Sequence, residues 1–153
     1  MWRVPYVPSP YAVVRKMLEL ASPVSGESVY DLGAGDGRIL LEAVRRYDVK
    51  AVGFEHNPKR VRLATTNLER ARVLDKAKVF KEDLFKADLT QASVVTLYLL
   101  PEMNRALLPK LLTELKPGSR IVCHDFPIPR LSPKRVEKVH LTSRVHYVYL
   151  YEL

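Results

Sequence analysis

Three closely spaced glycines follow a short apolar segment that ends in an acid, and this arrangement constrains the chain more than any other. The segment reads Glu27-Ser-Val-Tyr-Asp-Leu-Gly-Ala-Gly-Asp-Gly-Arg-Ile39, runs on through a helical stretch, and ends in Ala51-Val-Gly-Phe-Glu55. A strand delivers Asp31 to a turn built on Gly33, Gly35 and Gly37. A helix follows, then a second strand with an acid at its end. Such a βαβ unit binds nucleotides.

The details favour S-adenosylmethionine over a dinucleotide. The dinucleotide fingerprint is G-x-G-x-x-G, with a pyrophosphate on the helix N-terminus. Position 38 is Arg, so the spacing here is G-x-G-x-G. Asp31 would repel a pyrophosphate but would attract the ammonium of a methionine moiety through charge-assisted bonds. Glu55, about twenty residues past the turn, suits ribose hydroxyls. Glycines that only permit a tight turn would leave both acids unexplained.

Hydrophobic periodicity places the remaining elements. Val4-Pro-Tyr-Val-Pro-Ser-Pro10 is a stiff extended arm, because each proline restricts itself and its predecessor. Ser9 is expected to cap a helix that starts with Pro10 and runs to about Ala21. Strands are expected over 28–32, 51–55 and 78–82, with helices over 36–47 and 58–73. The apolar run 94–100 suits a buried parallel strand. A helix ending near Leu115 should turn Leu108, Leu111, Leu112 and Leu115 to the core, with Pro109 making its first part irregular or restarting it. A strand over 120–126, a proline-bearing loop over 127–133 and a hairpin of 136–141 with 146–152 complete the chain. The fold class is α/β: a Rossmann-like, seven-stranded, mostly parallel sheet with helices on both faces and a C-terminal antiparallel hairpin.

At 153 residues the chain reads as one domain, with an arm and first helix over 1–26 and the cofactor-binding sheet over 27–153. No apolar run reaches membrane-spanning length, and the N-terminal residues lack the pattern of a secretion signal. A single cysteine, Cys123, leaves no internal disulfide and no CxxC metal site. The expectation is a cytoplasmic, metal-free monomer. The net charge of +8 suits polyanions or acidic proteins. Because the basic residues are spread along the chain, a solubilising surface explains the charge at least as well.

These segments resemble the seven-strand, class I S-adenosylmethionine-dependent methyltransferases. Asp31-Leu-Gly-Ala-Gly-Asp-Gly37 resembles their first cofactor motif, and Glu55 their ribose-binding acid. A closer resemblance is to a small archaeal protein-lysine methyltransferase group and its mitochondrial lysine methyltransferase relatives. Pro5-Tyr-Val-Pro-Ser-Pro10, Tyr30-Asp-Leu-Gly-Ala-Gly-Asp-Gly-Arg-Ile39, Leu97-Tyr-Leu-Leu-Pro-Glu-Met-Asn104 and Cys123-His-Asp-Phe126 carry it. The resemblance implies a cofactor site made by Tyr6, Pro8, Asp31, Leu32, Gly33, Gly35, Glu55, Asp83 and Leu84. Asp83 would meet the adenine amine, with Glu82 as a competitor, and Tyr6 and Pro8 would fold over the cofactor. The implied partners are proteins with exposed lysines, some of them associated with nucleic acid, and substrate choice would be broad.

Several cousins do not fit. The Asn/Asp-Pro-Pro-Tyr segment of amine methylation on bases and glutamine is absent after residue 97. Cys123 falls inside a strand, where a buried structural thiol is expected rather than a nucleophile. Tyr98 is the candidate catalytic residue, lining a lysine channel with its ring or hydroxyl; a plain core tyrosine is the equal alternative. His124 and Asp125 lie at a strand end that could face the site, while His140 and His146 read as ordinary sheet residues. The competing functions are an RNA or small-molecule methyltransferase on the same platform, a non-catalytic cofactor-binding module and, more distantly, a nicotinamide enzyme.

Overall fold

The computed structural model describes residues 5–153. The reading of residues 1–4, as the start of the arm and as lacking a secretion signal, lies outside the described residues. The elements follow in the order α1 (Tyr11–Ala21), β1 (Ser28–Leu32), α2 (Arg38–Arg46), β2 (Lys50–Glu55), α3 (Pro58–Arg70), β3 (Ala77–Lys81), β4 (Val94–Leu97), α4 (Pro101–Glu114), β5 (Arg120–His124), β6 (Arg135–His140) and β7 (Val145–Glu152). One 3-10 turn, Leu84–Lys86, follows β3.

The strands form one sheet in the order β3-β2-β1-β4-β5-β7-β6. β1 to β5 are parallel, and β7 lies antiparallel between β5 and β6. This is the fold class that the sequence predicts. Alternation along each strand divides the core between two faces. Val29, Ala51, Val94 and Val122 pack with the apolar stripes of α1 and α2. Tyr30, Leu32, Phe54, Val95, Leu97 and Cys123 pack with Met103, Leu107 and Leu111 of α4.

Three local features depart from the expectations. Ser9 does not cap α1: the cap position is Pro10, with no side-chain cap bond, and the Ser9 hydroxyl bonds His124 instead. α4 is continuous through Pro109, whose ring lies on the exposed side of the helix. Its buried face is Met103, Asn104, Leu107 and Leu111, an i, i+4 stripe that leaves Leu108 half-buried and Leu112 52% exposed. β4 stops at Leu97, because Leu100 and Pro101 begin α4 and free Tyr98 from the sheet.

The layers pack closely at Gly53 in β2. A Cβ there would lie 2.6 Å from Ala34 Cβ and 2.8 Å from Leu40 Cδ1, so only glycine lets the glycine loop and α2 approach the strand this closely. That approach holds the glycine loop against the ends of β1 and β2.

Candidate active site

Strand order reverses beside β1, with β2 on one side and β4 on the other. Parallel sheets bind ligands beyond the carboxyl ends of their strands at such a point. A cavity of about 280 Å³ lies there. Its walls come from the arm, the glycine loop, the ends of β1 and β2, and the residues after β3 and β4.

Tyr6, Pro8, Asp31, Gly33, Gly35, Glu55, Asp83, Leu84 and Tyr98 all line this cavity, as does Glu82. Leu32 is the exception. One position beyond Asp31 on the strand, it turns to the opposite face, and it packs in the core beneath α4 with 1% of its surface exposed.

Asp31 is buried, and Thr96 Oγ1 of the neighbouring strand donates to its Oδ1 at 2.8 Å. Burial pushes this carboxyl up to about 7; Glu55 and Asp36 push the same way, and the Thr96 bond opposes them. A cationic ligand group beside Asp31 would favour the charged form. Glu55 is equally buried but tied to backbone: Gly35 N–H donates to Oε1 at 3.1 Å and Asn57 N–H to Oε2 at 3.0 Å. Asn57 in turn caps α3, accepting from Lys59 N–H at 2.9 Å. The acid at the end of β2 therefore links the glycine loop to the start of α3.

Asp83 accepts from Phe85 N–H at 2.9 Å and so shapes the 3-10 turn that presents Leu84 and Phe85 to the cavity. Opposite, the ring of Tyr6 lies over the glycine loop, where a Cβ on Gly35 would stand 2.8 Å from Tyr6 Cε2. The Arg60 guanidinium lies 4.4 Å from the centroid of that ring, a cation–π contact from the far wall. Burial raises the Tyr6 phenol, so it stays protonated at neutral pH.

At the β4 end Tyr98 stacks on His124, with ring centroids 3.8 Å apart and planes 29° apart. Burial raises its phenol too, and Asp125 and Arg144 act on the hydroxyl in opposite directions. Arg144 grips Asp125 with two nitrogens, at 2.7 and 3.2 Å. His124 is fully buried, and burial pushes its imidazole down to about 4, so it is neutral at physiological pH. His146 is not an ordinary sheet residue: its Nδ1 lies 2.8 Å from His124 Nε2 in the interior. His140, by contrast, lies exposed in β6. Cys123 is buried, and burial pushes its thiol up, so it is an inert packing group.

Sequence reasoning missed Ser9, Thr96, Arg60, Arg144 and His146. Each acts through a partner distant in the chain. Only the apolar run around Thr96, which leaves a hydroxyl inside a buried strand, carried a signal that it must find a polar partner.

These residues fit S-adenosylmethionine. The buried Asp31 suits an ammonium, the backbone-anchored Glu55 suits vicinal hydroxyls, and the apolar turn at Leu84 suits an adenine ring.

The comparisons agree. Residues 31–135 match the ANTKMT methyltransferase domain family. The chain is 48% identical over 149 residues to a protein-lysine N-methyltransferase of Saccharolobus islandicus, covering 97% of this chain and 92% of that protein. It is 37% identical over 134 residues to the adenine nucleotide translocase lysine N-methyltransferase of Mus musculus, covering 88% of this chain and 58% of that protein. The chain thus spans little more than half the length of that mammalian relative. A crystal structure of an RNA methyltransferase from Salinibacter ruber, in complex with S-adenosyl-L-homocysteine, is 43% identical with a TM-score of 0.89. It covers 95% of this chain, and this chain covers 93% of it. With the motif, the sheet order and these matches in agreement, the chain belongs to the ANTKMT methyltransferase domain family and is an S-adenosylmethionine-dependent methyltransferase.

Proposed function

We propose that the protein transfers a methyl group to the side-chain amine of lysine in other proteins. The observation that carries this reading is the likeness along nearly the whole chain to the lysine methyltransferase of Saccharolobus islandicus. The chemistry at Tyr98 is consistent with it.

When bound, S-adenosylmethionine supplies an electrophilic methyl on sulfur. The chain's part is placement. Asp31 holds the ammonium end, Glu55 the ribose, and Asp83 with Leu84 the adenine, while Tyr6 and Pro8 cover the site. Tyr98 presents its ring at the end of β4, where the incoming amine aligns. A lysine with a reference pKa of about 10.4 loses its proton at pH 7 at a cost of about 4–5 kcal/mol. Burial against the Tyr98 ring and a neighbouring positive charge lower that cost. His124 is buried with both ring nitrogens engaged by Ser9 and His146, so desolvation rather than a side-chain base prepares the amine.

Only Tyr98, Leu99 and Leu100 separate β4 from α4. So short a connection leaves little to contact residues flanking the target lysine, which favours broad substrate use. The basic surface adds attraction to acidic or nucleic-acid-associated proteins. In this reading the enzyme works as a cytoplasmic monomer. No helix of the described residues is long and apolar enough to cross a membrane.

A second reading, RNA as the acceptor, draws on the Salinibacter ruber structure and on the net charge of +8. One experiment separates the two. The purified protein is incubated with methyl-labelled cofactor and a cell extract, and the product is divided between protease and ribonuclease. Label lost to protease supports the protein acceptor; label lost only to ribonuclease overturns it.

A further inference from the structure

The arm from Pro5 to Ser9 forms one wall of the cavity, and most of it is exposed. Ser9 is the exception, with 4% of its surface exposed. Its hydroxyl lies 2.8 Å from His124 Nδ1, across 115 residues of chain, and His124 Nε2 lies 2.8 Å from His146 Nδ1. Asp125 Oδ2 stands 3.5 Å from the same His124 Nε2. The Ser9 carbonyl accepts from Arg38 Nη1 at 3.1 Å, and Arg38 is itself paired with Asp36 of the glycine loop. Ser9 thus ties the arm both to the end of β5 and to the glycine loop.

Three polar side chains buried together are costly unless each is bonded. Neutral His124 carries one ring proton, so it donates through one nitrogen and accepts through the other. Both bonds can therefore be satisfied in either of two directions, and His124 fits between a hydroxyl and a second imidazole without gaining charge. Removing Ser9 Oγ leaves a buried ring nitrogen without a partner and the arm without its side-chain bond to β5.

We infer that Ser9, His124 and His146 form a buried latch that fixes the N-terminal arm over the cofactor cavity, and that Ser9 and His124 are positioning residues for cofactor binding. The inference rests on the cavity being the cofactor site, and it holds whichever acceptor is methylated. Beyond Ser9 the arm touches the body through Tyr6, against Gly35 and Arg60. An unlatched arm would lose that cover together with the contacts it gives the cofactor.

The test measures S-adenosylhomocysteine binding by calorimetry and chymotryptic cleavage after Tyr6, both without an acceptor. It compares the parent with Ser9→Ala, Ser9→Thr, His124→Phe and the double variant Ser9→Ala/His124→Phe. One buried hydrogen bond corresponds to about a fivefold to tenfold change in binding. Ser9→Ala is expected to raise the dissociation constant by about that factor and to speed cleavage after Tyr6. Ser9→Thr, which keeps the hydroxyl, is expected to restore both. His124→Phe keeps a stacking face for Tyr98 and should match Ser9→Ala, with the double variant no weaker than either single one. Affinity and cleavage within twofold of the parent in Ser9→Ala, with only the melting temperature lowered, would overturn the latch. So would full additivity in the double variant. If His124→Phe does not fold, the Ser9→Ala and Ser9→Thr pair decides alone. Because no acceptor is present, a negative result here is independent of the lysine-versus-RNA experiment.

Discussion

In the proposed reading, affinity turns on one buried charge, that of Asp31. Its carboxyl is held up near 7, so it is neutral below that pH and charged above it. Cofactor binding through an ammonium needs the charged form. Affinity is therefore expected to fall as pH drops from 8 to 6, with proton release on binding at the lower pH, as calorimetry in buffers of different ionisation enthalpy would show. Asp31→Asn should weaken cofactor binding by roughly ten- to a hundredfold, the range of a charge-assisted bond, and flatten the pH profile. A profile unchanged by the substitution would count against this role. The sequence shows Asp31, Glu55 and the glycines clearly because their relation is local: acid, turn and next strand lie within 25 residues. Ser9 was not legible in the same way. A serine before a proline reads as a helix cap, and its true partner lies in β5. His146 was hidden for a like reason, since a histidine in a terminal hairpin gives no sign of facing another one across the sheet.

At the scale of elements, the layer contact at Gly53 should be the most sensitive point outside the cavity. Gly53→Ala places a methyl against Ala34 and Leu40, so either α2 or the glycine loop must move. The expected cost is about 1–3 kcal/mol in denaturant unfolding, with a weaker cofactor dissociation constant because the moved loop carries Gly35. α4 gives the opposite prediction. Pro109 removes a backbone donor inside a continuous helix, on an exposed position. Pro109→Ala is expected to stabilise the protein by about 1–2 kcal/mol, the helix gain being partly offset by a freer unfolded chain. A lower melting temperature would mean that the proline serves the helix in some other way. Element type and order were readable from apolar periodicity, and the ends less so. The run from Val94 to Leu100 is apolar on both sides of Leu97, and nothing in its hydropathy marks the change from β4 to the lead-in of α4 that frees Tyr98.

For the molecule as a whole, the sheet order places the arm, both acids, the 3-10 turn after β3 and Tyr98 around one cavity. The architecture was legible because a glycine-rich βαβ unit leaves few topologies open. The acceptor was less so, since the net charge of +8 serves capture of an acidic protein and capture of RNA alike. The claim at the centre is that the methyl arriving at Tyr98 goes to a lysine. Its most direct test is total hydrolysis of the labelled protein fraction, made with parent and with Asp31→Asn enzyme at matched concentration, followed by amino-acid analysis of the label. The account predicts that nearly all the label from the parent co-elutes with Nε-methylated lysine and that Asp31→Asn lowers it at limiting cofactor. Label that co-elutes with any other residue, or that is found on nucleosides, would contradict it.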